Sequence, residues 1–63
     1  MRKIIDRPFT GDKSYVEIAC TSAETKPTTG VIMGSLALEV DTTDVYAFNE
    51  TSGEWVKQLT LGG

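Results

Sequence analysis

The chain has no histidine and a single cysteine, Cys20, among its 63 residues. Without histidine it lacks the usual general base near neutral pH and the usual partner of a Ser or Cys nucleophile. One cysteine cannot close an internal disulfide, and alone it supplies too few ligands for a zinc site. No apolar run approaches the ~18 residues of a membrane-spanning helix. Met1-Arg2-Lys3-Ile4-Ile5 opens like a signal peptide, but Asp6, Arg7 and Pro8 cut the apolar stretch short. Helical spacing is absent from every window of ten or more residues, and no segment repeats. These absences set the expectation: not an enzyme, no cofactor or metal, no membrane contact, and synthesis in the cytoplasm.

A chain of this length is one domain with a marginal core, since only about 60% of the unfolded surface is buried at this size. Small domains commonly compensate with disulfides, a metal or oligomerisation. With the first two excluded, association with copies of itself or with a partner remains. The charge is −3 overall and unevenly placed. Arg2, Lys3, Arg7, Lys13 and Lys26 against Asp6, Asp12, Glu17 and Glu24 give residues 1–30 a net +1. Lys57 against Glu39, Asp41, Asp44, Glu50 and Glu54 gives residues 31–63 a net −4. An acidic body argues against a phosphate-binding surface. Arg2, Lys3 and Arg7, with no aromatic residues between them, read as a solvated or partner-docked arm rather than a nucleic-acid contact.

The pattern along the chain is that of an all-β protein. Residues 1–13 show no clean period and are broken by Pro8, Gly11 and Asp12, so they read as an extended N-terminal arm. Residues 14–20 alternate, with Val16, Ile18 and Cys20 on one side, and form an N-terminal strand. Residues 21–30 are a polar loop. The spacing then predicts a three-stranded antiparallel meander over about 35–41, 45–49 and 55–60, joined by the turns Asp41–Asp44 and Asn49–Glu54. Residues 14–63 are thus one small β domain.

Four-residue loops place Val40 opposite Val45, Leu38 opposite Ala47, Phe48 opposite Trp55 and Tyr46 opposite Lys57. One face of that sheet is aliphatic (Leu36, Leu38, Val40, Val45, Ala47, Val56) and the other aromatic (Tyr46, Phe48, Trp55). A sheet in water normally keeps one face polar. Here both faces call for cover, and the 14–20 strand can cover only one. Tyr46, Phe48 and Trp55, with the arm at Arg2, Lys3 and Arg7, are therefore the candidate protein-contact residues.

Other motifs have plain structural readings. Glu39-Val-Asp-Thr-Thr-Asp44 lacks the glycine and distal glutamate of a calcium loop and reads as a turn. Asn49-Glu50-Thr51 matches a glycosylation sequon but more simply opens a turn that Gly53 closes. Cys20 reads as a small buried hydrophobe. The terminal Leu59-Thr-Leu-Gly62-Gly63 is like that of ubiquitin-like modifiers and bacterial sulfur carriers, but the central helix of those folds finds no place in residues 21–34, where Pro27, Gly30 and Gly34 intervene.

Residues 34–57 carry a further likeness. Gly34, Ser35, Glu39, Asp41, Thr42, Val45, Tyr46, Phe48, Asn49, Trp55 and Val56 follow the order glycine-serine, alternating strand, Glu-x-Asp-Thr, turn, Val-Tyr-x-Phe-Asn, polar turn, Trp-Val. This resembles a β-hairpin module of small structural proteins in tailed-bacteriophage particles. Asp12-Lys-Ser-Tyr15 and Thr25-Lys-Pro27 resemble what precedes it. The resemblance implies a virion component in many copies, attached to head, neck, tail or fibre, with itself and other virion proteins as partners. A small phage-encoded regulator or inhibitor of a host protein is the alternative. One position departs from the pattern: Thr43-Asp44 stands where Gly-Lys is usual, leaving open which of the two takes the left-handed conformation the turn requires.

Overall fold

The computed structural model describes residues 1–62, and Gly63, on which the carrier comparison turns, lies outside them. Five strands form one sheet: β1 (Arg2–Thr10), β2 (Lys13–Cys20), β3 (Leu36–Glu39), β4 (Asp44–Asn49) and β5 (Glu54–Thr60). They lie in chain order, β1-β2-β3-β4-β5. All neighbours are antiparallel except β2 and β3, which run parallel. There is no helix among the described residues, so the chain is all-β.

Residues 2–10, expected as a free arm, are instead the first strand of this sheet. Thr10-Gly11-Asp12-Lys13 turns the chain in two residues, with Gly11 at φ 56°, and lays β1 against β2 from Arg2↔Ala19 to Thr10↔Lys13. A Gly-Asp pair between two β-forming runs is a hairpin signal. It was hidden because β1 has no period: nothing covers either of its faces, only Ile5 is half-buried, and irregularities at Lys3/Ile5 and Pro8/Thr10 break the alternation. Alternation is the mark of a half-buried strand, and β1 is not one.

β2 does alternate, and Val16, Ile18 and Cys20 are buried. It lies within the sheet rather than across it, with Glu17↔Leu36 and Ala19↔Leu38 in register. A parallel neighbour requires a crossover, and residues 21–35 supply one without a helix. This segment lies over one face of the sheet. Ser14 N–H donates to Gly30 O (2.9 Å) and Ile32 N–H to Ser14 O (3.1 Å), which seats Val31 in the core. Ser35, fully buried, accepts the Val16 N–H on its hydroxyl (3.1 Å). Its backbone carbonyl takes the Phe48 N–H (2.9 Å). One small polar residue thus ties the crossover to β2 and β4.

The β4–β5 register is as the sequence predicts, with Phe48↔Trp55, Ala47↔Val56 and Tyr46↔Lys57. The β3–β4 register differs by two residues: Leu38 faces Val45 and Leu36 faces Ala47. The cause lies in the turn. Val40 N–H bonds to Cys20 O (2.8 Å) and Thr43 N–H to Glu39 O (2.7 Å), closing the hairpin one residue early. A slip of two keeps every side chain on its face, so only Val40 leaves the aliphatic side for the turn. Thr43 takes the left-handed conformation, φ 61°, although its branched Cβ disfavours it. Its hydroxyl donates to Leu61 O (2.8 Å) and its carbonyl accepts Leu61 N–H (2.8 Å), so the turn is braced by the C-terminal segment.

Candidate functional site

Residues in register across neighbouring strands share a face, and by that rule the sheet has two unlike sides. The inner side carries Val16, Ile18, Cys20, Ala37 and Phe48 with Tyr46 and Trp55 packed against them. The outer side carries, row by row, Ile5-Glu17-Leu36-Ala47-Val56 and Arg2-Ala19-Leu38-Val45-Leu59.

The aromatic residues expected to meet another chain all lie on the inner side. Phe48 is buried, and its ring meets that of Trp55 at 5.2 Å between centroids, tilted by 53°, within the centroid range of favourable aromatic pairs. Trp55 Nε1 donates to Pro27 O (2.8 Å). Lys26 Nζ sits 4.3 Å above the Tyr46 ring and bonds to Glu39 Oε2 at 2.6 Å. Thr42 Oγ1 donates to the other Glu39 oxygen (2.8 Å). The chain's own crossover therefore covers this face, and Tyr46 and Trp55 keep only partial exposure.

The Lys26–Glu39 pair works as a clamp. Both side chains are nearly enclosed, at 12% and 6% exposure, and a buried charge is tolerable only when paired and hydrogen-bonded. The bond from Lys26, aided by that from Thr42, holds the Glu39 carboxyl below the ordinary 4.5 of a glutamate. Burial pulls the Lys26 ammonium down, but the bond to Glu39 and its charge outweigh this and leave it raised. Cys20, beneath the clamp, has a thiol pushed up chiefly by burial, the opposite of what an activated nucleophile needs.

Arg2, Lys3 and Arg7 do not form one patch. Lys3 shares its register with Ile18 on the inner side and bonds to Asp6 at 3.3 Å. Arg2 and Arg7 are level with Ala19 and Tyr15 on the outer side. Among the described residues no three His, Cys, Asp or Glu side chains are placed to hold a metal ion.

What the structure leaves open is the aliphatic side. Nothing in the described residues crosses it. Leu36, Val56 and Leu59 are exposed, the last two at 43% and 49%, while Ala19, Leu38, Val45 and Ala47 are half-buried only by their neighbours. A shallow groove lined by Ile4, Glu17, Ala19, Leu36, Leu38 and Val45 runs along it. Charge is confined to its margins and to Glu17, which accepts the Tyr15 hydroxyl (2.7 Å). A contiguous apolar surface of this kind marks an interaction site. The sequence showed most of this face as aliphatic. It did not show that Lys26 and Pro27 would close the other side, nor that Ala19, Leu59 and Ile4 would extend this one.

No family profile, no curated protein and no solved structure matches the chain.

Proposed function

We propose that the chain is a structural component of a tailed-phage particle, present in many copies and acting by packing against itself and other virion proteins. It decorates the head surface or attaches at the neck, tail or fibre; it is made in the host cytoplasm and resides in the virion. On this reading it is not an enzyme, takes no cofactor and contacts neither nucleic acid nor membrane. The observation that carries the packing role is the uncovered aliphatic face, set on a domain whose inner face is already closed. The resemblance of residues 34–57 to the phage hairpin module supplies the setting. Two features support the absence of nucleic acid: the acidic body, and the division of Arg2, Arg7 and Lys3 between opposite sides of β1.

Mass spectrometry of purified particles tests this reading, and the expected result is the chain in stoichiometric, multi-copy amount. Its absence from particles, with recovery in a one-to-one complex with a host protein, would establish the regulator alternative instead.

A further inference from the structure

The outer face is divided in a way that specifies its occupant. Along β5, Val56 and Leu59 are exposed on an edge strand, and Val56 also borders a shallow hollow with Ala47, Asn49 and Gln58. The groove lined by Ile4, Glu17, Ala19, Leu36, Leu38 and Val45 runs from β1 across to β4. Charge is divided between the two margins. Arg7 stands level with Tyr15, and Glu54 with Asn49, one row beyond Leu36 and Ala47. Arg7 and Glu54 thus occupy the same row at opposite margins, and neither belongs to an ion pair among the described residues.

We propose that the occupant is a second copy of this chain, packed face to face about a twofold axis that runs along β3. This rests on the packing role proposed above and names its partner. β3 is the middle strand of five, so a twofold along it keeps each row in place and reverses the strand order. β5 of one copy then lies over β1 and β2 of the other, twice. Val56 and Leu59 come over the Ile5, Glu17 and Ala19 of the other chain, Leu36 and Leu38 meet their own copies at the axis, and Arg7 comes over the Glu54 of the other chain. An isologous contact needs a surface complementary to itself, and apolar rows in register with Arg7 set against Glu54 satisfy that for one axis. A twofold across the strands would set β1 on β1, reverse the rows and bring Arg7 toward the Arg2 of the other chain, like charge on like.

The area is sufficient. Five strands about 4.8 Å apart and about six residues long present a face of roughly 24 by 20 Å, on the order of 500 Å² in projection. The accessible area of a face studded with side chains exceeds its projection and approaches the ~800 Å² that each partner gives up in a standard interface. The product is a β-sandwich, its sheets about 10 Å apart and its strands aligned to within about 30°.

The test is sedimentation equilibrium on the full chain and four variants. The wild type should sediment at twice the 6.8 kDa chain mass. Val56→Lys, which puts a charge into the apolar contact, should weaken association at least about tenfold while strand circular dichroism is kept. Arg7→Glu and Glu54→Arg should each weaken it about fivefold, the scale of exposed ion pairs, and the double variant should return to within about twofold of wild type. Should Val56→Lys fail to fold, the charge exchange on exposed side chains still decides. A wild type that stays monomeric to millimolar concentration, a dimer indifferent to Val56→Lys, or single reversals that the double does not rescue would each overturn the twofold. The particle reading fails separately: a dimer absent from particles leaves the twofold standing, and a monomer abundant in particles overturns the twofold alone.

Discussion

The two sides of this sheet are built from similar amounts of apolar side chain but finished differently. On the inner side, the segment 21–35 brings Val31, the Lys26 ammonium and the Pro27 carbonyl to the residues below. Among the described residues it leaves no buried side-chain donor or acceptor without a partner. On the outer side Leu36, Val56 and Leu59 keep a third to a half of their surface in water. The difference shows how a chain of this size divides its work. It has one crossover and can close one face, and the aromatic face, with its indole N–H and its buried Glu39, is the one that needs polar partners at fixed positions. The aliphatic face needs only apolar cover, which any complementary surface can provide.

The contrast is broken most severely from the inside. Phe48→Ala should cost about 3–5 kcal/mol, the usual range for removing a buried ring. That rivals the whole stability of a domain this small, at roughly 0.05–0.15 kcal/mol per residue. Far-UV circular dichroism should therefore show an unfolded chain, whereas Val56→Thr on the outer face should change folding by no more than about 0.5 kcal/mol. Ser35→Ala should cost about 1–3 kcal/mol in urea denaturation, because it strands the buried Val16 N–H.

Acid gives a graded break. Glu39 is held below 4.5 by Lys26, Asp44 below 3.8 by Thr60, and Glu50 below 4.5 by Lys13. Groups depressed on folding contribute stability that is complete above their unfolded values and is lost as pH falls through their folded ones. Denaturation midpoints should thus be flat from neutrality to about pH 5 and fall below about pH 4.5. Glu39→Gln should flatten part of that fall. The smallest effect is expected at the turn: Thr43→Asn, a residue at ease in the left-handed region, should raise stability by about 0.5 kcal/mol. A decrease would mean that the Thr43 hydroxyl bond to Leu61 outweighs the strain.

Much of this was legible in the sequence, for reasons that also explain the gaps. β3 and β4 could be read because each buries one side. β5 buries little beyond a half-buried Trp55, and it was legible from the turn before it and the Phe48–Trp55 pair, which fixes the register of the last hairpin. Apart from Val40, which lies in the turn, the aliphatic and aromatic sets fall on the faces expected even though the β3–β4 register was off by two, since only an odd slip exchanges faces. β1 was illegible as a strand because Pro8 and the irregularities at Lys3/Ile5 and Pro8/Thr10 break what little pattern an exposed strand has. The parallel seat of β2 depends on long-range bonds such as Val40 N–H to Cys20 O, which leave no local pattern. The contact face was placed on Tyr46, Phe48 and Trp55 because both faces called for cover and the 14–20 strand could cover only one of them. Closure of that side hinges on Lys26, which in sequence is one more polar residue in a loop, thirteen positions from Glu39.

The division into a closed face and an open one is tested most directly by methyl NMR with a soluble paramagnetic agent, over a range of protein concentration. Val16, Ile18 and Val31 should be protected at every concentration, as side chains closed off within one chain. Leu36, Leu38, Val45, Val56 and Leu59 should be bleached in dilute solution and become protected together as concentration rises. Bleaching of Val31 and Ile18 alongside the outer methyls, or outer methyls that stay bleached at all concentrations, would contradict it.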